Sequence, residues 1–231
     1  MSILYIVATP IGNLEDISKR ALRILSEVDL ILCEDTRQSQ KLLNFYNVKT
    51  PTLSYHQHSK LKKVEWICQL LRDGKNLALV SDAGTPGISD PGNKLVELAN
   101  KELGDKIKIV SIPGPSALSA AASISGLPMD KFVFMGFPPH KKRRKKFFEK
   151  ILQSEYPAIF YESPYRILKT LRELLHEFTQ IGTQINTNKQ IVVARELTKK
   201  FETVYRGTIG EVIEKLERDK IKGEFVVIVG K

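Results

Sequence analysis

Ser81-Asp82-Ala83-Gly84-Thr85-Pro86-Gly87-Ile88-Ser89-Asp90-Pro91-Gly92 separates two segments of opposite character. Before it, Leu77-Ala78-Leu79-Val80 is an unbroken apolar run that reads as a buried strand. After it, Lys94-Leu95-Val96-Glu97-Leu98-Ala99 has the spacing of a helix face. Gly84, Pro86, Gly87, Pro91 and Gly92 stop either element from extending into the segment. Strand-to-helix connections in α/β units usually take about two to six residues. A longer one, rich in Gly and Pro, is predicted to be a shaped ligand loop at the carboxyl edge of a parallel sheet.

The same alternation runs outward in both directions. Strands are predicted over 3–9, 28–33, 76–81, 107–110, 132–135, 158–161, 190–194, 203–206 and 225–229. Between them, Ile17-Ala21-Leu22-Ile24-Leu25, Val64-Ile67-Leu70-Leu71 and Leu168-Leu171-Leu174-Leu175 recur at helical spacing. Such alternation implies βαβ units. Near the end, 190–194 and 203–206 follow each other without a helix, which predicts an antiparallel hairpin. The expected fold class is therefore α/β, in two lobes: a parallel sheet in 1–117 and a mixed sheet in 118–231. Pro113-Gly114-Pro115 and the helix after it mark the division, with a ligand cleft expected between the lobes.

Composition narrows the function classes. Of 231 residues, 42% are hydrophobic and 27% charged, the balance of a globular protein. No apolar run approaches the roughly 20 residues that span a bilayer, so no membrane association is expected. Met1-Ser2-Ile3-Leu4-Tyr5 has no basic segment before its apolar residues and is predicted to be a strand, not an export signal. Cys33 and Cys68 lack metal spacing and are predicted to be reduced core residues of a cytoplasmic protein with no metal site. The net charge of +10 points to a polyanionic partner. Its densest source is His140-Lys141-Lys142-Arg143-Arg144-Lys145-Lys146, from which Lys141, Lys142, Arg143, Arg144 and Lys145 are candidate RNA-binding residues.

Ala8-Thr9-Pro10-Ile11-Gly12-Asn13-Leu14, after the first strand, lacks the Gly-x-Gly-x-x-Gly dinucleotide fingerprint, and no Gly-Lys-Ser/Thr phosphate loop occurs. The ligand is predicted to carry no polyphosphate. Pro113-Gly114-Pro115-Ser116-Ala117, Gly136-Phe137-Pro138-Pro139, Glu162-Ser163-Pro164 and Arg195-Glu196-Leu197-Thr198 are further loops at strand ends or helix starts.

These loops, with Cys33-Glu34-Asp35-Thr36-Arg37, Phe160-Tyr161-Glu162-Ser163 and Gly223-Glu224-Phe225, stand in an order that resembles the ribosomal RNA small subunit methyltransferase I branch of the tetrapyrrole methylase superfamily. The resemblance spans nearly the whole chain. It implies S-adenosylmethionine as cofactor, 2′-O-methylation of a cytidine ribose in the decoding region of 16S RNA, a two-lobed architecture and a homodimer. The partner is then small-subunit ribosomal RNA or the assembled small subunit. By position it implies cofactor contacts at Pro10, Ala83, Gly84, Thr85, Ile88, Ser116 and Ala117, with Glu162 and Leu197 as further contacts. Where tetrapyrrole-modifying relatives tend to read Gly-Asp-Pro, this chain has Gly84-Thr85-Pro86. It departs from the branch at Tyr165, where His is frequent, and at Ser59, where Asn is common. Many members continue with a further helical segment; the sequence here ends at Lys231.

Methyl transfer to a sugar hydroxyl calls for positioning and a proton acceptor. Asp35, Glu196 and His56 are the candidate bases, and the residue pattern leaves the choice open. Arg37 and Arg195 are placed either to bind a target phosphate or to pair with Asp35 and Glu196; Asp35, Arg37 and Glu196 form the candidate catalytic set. His56 and His58 also fit a surface segment. Two other functions remain to be weighed: a methylase of the same fold acting on a tetrapyrrole or other small acceptor, and a cofactor-free RNA-binding α/β protein. The basic run argues against the first, since a small macrocycle has no use for it.

Overall fold

The apolar run ahead of the long loop forms a short strand, β4 (Leu77–Leu79), of three fully buried residues. It lies inside a five-stranded parallel sheet with β1 (Ser2–Val7), β2 (Leu30–Cys33), β3 (Thr52–Ser54) and β5 (Ile107–Ile112), in the order β3-β2-β4-β1-β5. Side chains alternate between the faces of a strand. Leu77 and Leu79 accordingly join the apolar layer of α3 (Leu61–Arg72) and α4 (Asn93–Leu103), with Leu4, Leu32, Ile67 and Leu95. Ala78 and Val80 join the opposite layer, with Ala21, Ile24 and Leu25 of α1 (Lys19–Glu27) and Leu43 of α2 (Thr36–Phe45). Helices on both faces explain why these strands read as continuous apolar runs. The start of α1 is set by Ser18, whose hydroxyl accepts the Ala21 amide at 3.0 Å.

The structure, a computed structural model, describes residues 1–56, 61–180 and 189–231; His58 and Ser59 lie outside them. The chain forms two units, Met1–Ser116 and Ala117–Lys231. In the second, β6 (Val133–Phe134), β7 (Ala158–Glu162), β8 (Gln190–Arg195), β9 (Thr203–Thr208) and β10 (Phe225–Val229) are ordered β6-β7-β10-β8-β9. β6 runs parallel to β7, while β10 is antiparallel to both β7 and β8, and β8 to β9. The sheet is mixed, with the expected hairpin at β8–β9. Val227 lies opposite Phe160 on one side and Val193 on the other, at the centre of a core closed by α6 (Arg144–Leu152), α7 (Ile167–Gln180) and α8 (Ile209–Glu217). α5 (Ala117–Ile124) opens this unit and buries Ala121 and Ala122. Cys33 and Cys68 are both free and buried. Among the described residues no helix is long and apolar enough to cross a membrane.

Candidate functional site

Three loops leave the carboxyl ends of the neighbouring strands β4, β1 and β5, and hydrogen bonds bind them to one another. Thr9 and Gly84 pair main chain to main chain, Thr9 N to Gly84 O at 2.9 Å and Gly84 N to Thr9 O at 3.0 Å. The Thr9 hydroxyl donates to Ser81 O at 3.2 Å, and the Ser81 hydroxyl to Ala83 O at 3.1 Å. Thr85 donates its hydroxyl to Pro115 O at 3.2 Å, which ties in the loop after β5. Gly84 has φ +79°, and a Cβ there would already touch Ile11 at 3.4 Å, so the pairing depends on a glycine. Pro10, Ala83, Gly84, Thr85, Ile88 and Ser116 thus belong to one loop cluster at the edge where open α/β sheets bind ligands. Pro10 is buried, whereas Ala83 and Ile88 expose apolar side chains. The charged residues of these three loops, Glu15, Asp16, Asp82 and Asp90, are all negative. Such a cluster suits a ligand with an apolar body and a positive centre and is unsuited to phosphate.

The end of β2 joins this edge. Asp35 caps α2, its Oδ1 accepting the Arg37 amide at 2.8 Å, and its own amide donates to Asp82 Oδ1 at 3.0 Å. The Arg37 guanidinium grips both carboxylate oxygens, Nε to Oδ1 at 3.0 Å and Nη2 to Oδ2 at 2.7 Å. That grip holds Asp35 down to about 2. Arg37 therefore pairs with Asp35, one of the two roles open to it. Glu34 behaves oppositely: burial pushes its carboxyl up, the Asp82 charge adds to the rise, and His56 offsets part of it. Sequence reading passed over Glu34 as a mere neighbour of Asp35. A carboxyl beside an acidic ligand loop was the available signal.

In the second unit a buried polar chain organises the loops after β6 and β7. Glu162, at the end of β7, accepts the Ser163 amide at 2.7 Å and Arg166 Nη2 at 2.8 Å on Oε1. Its Oε2 accepts the buried Thr170 hydroxyl at 2.7 Å. Thr170 in turn accepts Arg144 Nη2 at 2.9 Å, while Arg144 Nε reaches Glu173 at 2.7 Å and Nη1 reaches Pro139 O at 2.8 Å. The Glu162 carboxylate is committed to this chain. Arg144 corrects the reading of the basic run: it is only 8% exposed and fully engaged, so it is a structural anchor and not an RNA-facing cation. Lys141, Lys142, Arg143, Lys145 and Lys146 are exposed. They crowd the start of α6, which has no acidic residue in its first turn and no side-chain cap, so like charges meet the positive end of the helix dipole.

Glu196 sits just past β8 at φ +50°. Burial works to raise its carboxyl, but Lys199 Nζ at 2.8 Å and the Glu224 amide at 3.0 Å, both on Oε1, win and lower it. A Cβ on Gly223 (φ +88°) would fall 2.2 Å from Glu196 Cδ, so that position admits no side chain while Glu196 stays in place. Arg195 pairs with Asp219 at 3.1 Å and donates to Lys222 O at 2.8 Å, rather than pairing with Glu196. Leu197 is buried, and Ala117 begins α5.

Residues 3–213 match the family model of Tetrapyrrole (Corrin/Porphyrin) Methylases. The chain belongs to that family. A methylase of Thermotoga maritima named ribosomal RNA small subunit methyltransferase I is 44% identical over 99% of this chain and 98% of its own length. A protein of the same name from Hydrogenobaculum is 46% identical over 99% of this chain and 95% of its own. Among solved structures, diphthine synthase aligns with a TM-score of 0.72 at 14% identity, covering all of this chain and 90% of its own. The cobalamin biosynthetic enzyme cobalt precorrin-4 methyltransferase aligns at 0.68 and 19%, covering 99% and 94%. These two likenesses establish the tetrapyrrole methylase fold: two α/β units with a parallel and a mixed sheet.

Proposed function

We propose that the protein methylates the 2′-oxygen of a cytidine ribose in the decoding region of small-subunit ribosomal RNA, with S-adenosylmethionine as donor. The carrying observation is the 44% identity to the Thermotoga maritima ribosomal RNA methyltransferase across 99% of the chain. The five exposed cations around the start of α6 support an RNA acceptor, because bound phosphates would relieve their mutual repulsion.

S-Adenosylmethionine, when bound, supplies a methyl group on a positively charged sulfur, already activated for displacement. Pro10, Ala83, Gly84, Thr85, Ile88 and Ser116 are the residues of the first unit that would hold it. Ala83 and Ile88 offer apolar contact, and Asp82 and Asp90 provide a negative surround that favours a cation. The Thr9–Gly84 pairing and the Thr85 hydroxyl keep these loops in one arrangement before any ligand arrives, which lowers the cost of binding.

The acceptor hydroxyl must lose its proton, and the ability of a carboxylate to take it follows its basicity. Asp35 is a weak acceptor, because Arg37 occupies both of its oxygens. Glu34, whose proton affinity is raised by burial and by Asp82, is the better matched base. Asp35 and Arg37 then serve to hold the segment in shape. The same reading takes the enzyme as a cytoplasmic homodimer, which sedimentation would check. The main test incubates the protein with methyl-labelled donor and small subunits, free 16S RNA, or neither. Label on a ribose of the RNA is expected; no label under any condition would refute the proposal.

A further inference from the structure

The loop between β6 and the basic run carries an exposed aromatic ring on an unusually well-held support. Phe137 is 52% exposed. Its ring packs edge-to-face with Tyr161 at 5.4 Å between centroids, and Tyr161 packs the same way with Phe134 at 5.0 Å. A T-shaped contact leaves at least one face of Phe137 uncovered by its neighbour. The main chain on either side is pinned: Gly136 O accepts the Tyr161 amide at 2.9 Å, Pro138 O accepts Arg166 Nη1 at 3.1 Å, and Pro139 O accepts Arg144 Nη1 at 2.8 Å. Arg166 is fixed by the buried Glu162, and Arg144 by the buried Thr170 and the partly exposed Glu173. Four residues after Phe137 the exposed cations begin, at Lys141.

A water-exposed ring carries a hydrophobic cost, and a mobile loop would let it fold back onto the protein. Here the buried Arg144 and the partly buried Arg166 hold it out beside a cationic stretch. Rigid aromatics next to backbone-tracking cations are what single-stranded RNA recognition uses, because every base offers a π-face and every phosphate a charge. Resting on the RNA reading above, we infer that Phe137 is a base-stacking platform that receives one unpaired base of the RNA while Lys141 to Lys146, Arg144 excepted, hold the flanking phosphates. Tyr161 and Phe134 are positioning residues that set the ring's tilt.

The test uses the full chain, 16S RNA segments carrying 2-aminopurine at successive unpaired positions, and intact small subunits. Phe137→Leu keeps apolar volume and removes the π-face; Phe137→Trp keeps the face; Lys142→Ala with Lys145→Ala reports on the cations alone. Stacking quenches 2-aminopurine, so one position is expected to dim with the wild type and with F137W but not with F137L. F137L is expected to weaken RNA binding about five-fold or more. If F137L binds and quenches like the wild type while the lysine variant weakens, the platform is refuted and the RNA reading stands. If F137L instead changes the sedimentation of the free protein, the ring belongs to a contact between copies of the chain, and the inference falls. If the wild type binds neither RNA nor small subunits, the proposed function fails as well.

Discussion

Asp82 accepts the backbone amide of Asp35 at 3.0 Å, so the loop that follows β4 holds the first turn of the helix that follows β2. The same carboxylate raises the proton affinity of Glu34. Asp82→Asn keeps an oxygen for the amide and removes the charge. The Glu34 value then falls toward its ordinary 4.5. Since the ionised form of a base is the active one, the acid limb of the pH–kcat profile is expected to move to lower pH. Glu34→Gln should lower kcat by about 10²-fold or more, with donor affinity by calorimetry unchanged. An unaltered kcat would remove Glu34 from the mechanism.

Asp35 gives the opposite linkage. Its folded-state value, about 2, lies below its ordinary 3.8 because of Arg37. Stability from the ionised form is therefore fully present above the ordinary value and is lost as pH falls through the folded one. Asp35→Asn is expected to flatten the acid-unfolding curve in that window, followed by circular dichroism. A curve identical to wild type would show the Arg37 grip to be absent in solution.

Five exposed cations imply a steep salt response. At about 0.7 ions released per single-strand contact, RNA affinity should fall roughly a hundredfold between 50 and 200 mM salt. Lys146→Ala should reduce the logarithmic slope by about 0.7 and leave the melting temperature near wild type. Arg144→Ala should lower the melting temperature instead, since it removes the three hydrogen bonds that its buried guanidinium makes to Glu173, Pro139 O and Thr170. Equal slopes for wild type and K146A would contradict the assignment.

Gly223→Ala should destabilise the second unit by more than about 1 kcal/mol, because φ +88° strains any side chain and Glu196 occupies the space. A urea midpoint equal to wild type would show that Glu196 gives way. Gly223→Ala combined with Glu196→Ala should recover part of the loss.

Strands buried on both faces were legible: β10 (Phe225–Val229) is five apolar residues, all buried, and its expected limits hold. β3 was not, because three partly exposed residues are too few to show an alternation. α8 also escaped notice, since it starts directly at the end of β9, without a loop. Its start signal was present in the reciprocal capping of Thr208 and Glu211. The ligand loop was visible through its glycines and prolines, whereas the ties that unite it with Thr9 and Pro115 bridge more than 25 residues of chain and leave no local pattern. Arg144 was visible in principle, standing three and four residues ahead of the buried Phe147 and Phe148, on the inward stripe of α6. Charge alone hid it among its neighbours.

That stripe divides the basic run into positions with different tolerance to substitution. Arg144 uses three separate nitrogens on three acceptors, a fork that a lysine cannot copy. Its neighbours contribute only charge and reach. In a saturation screen, lysine and arginine would be interchangeable at Lys141, Lys142, Lys145 and Lys146, with one intolerant notch at Arg144.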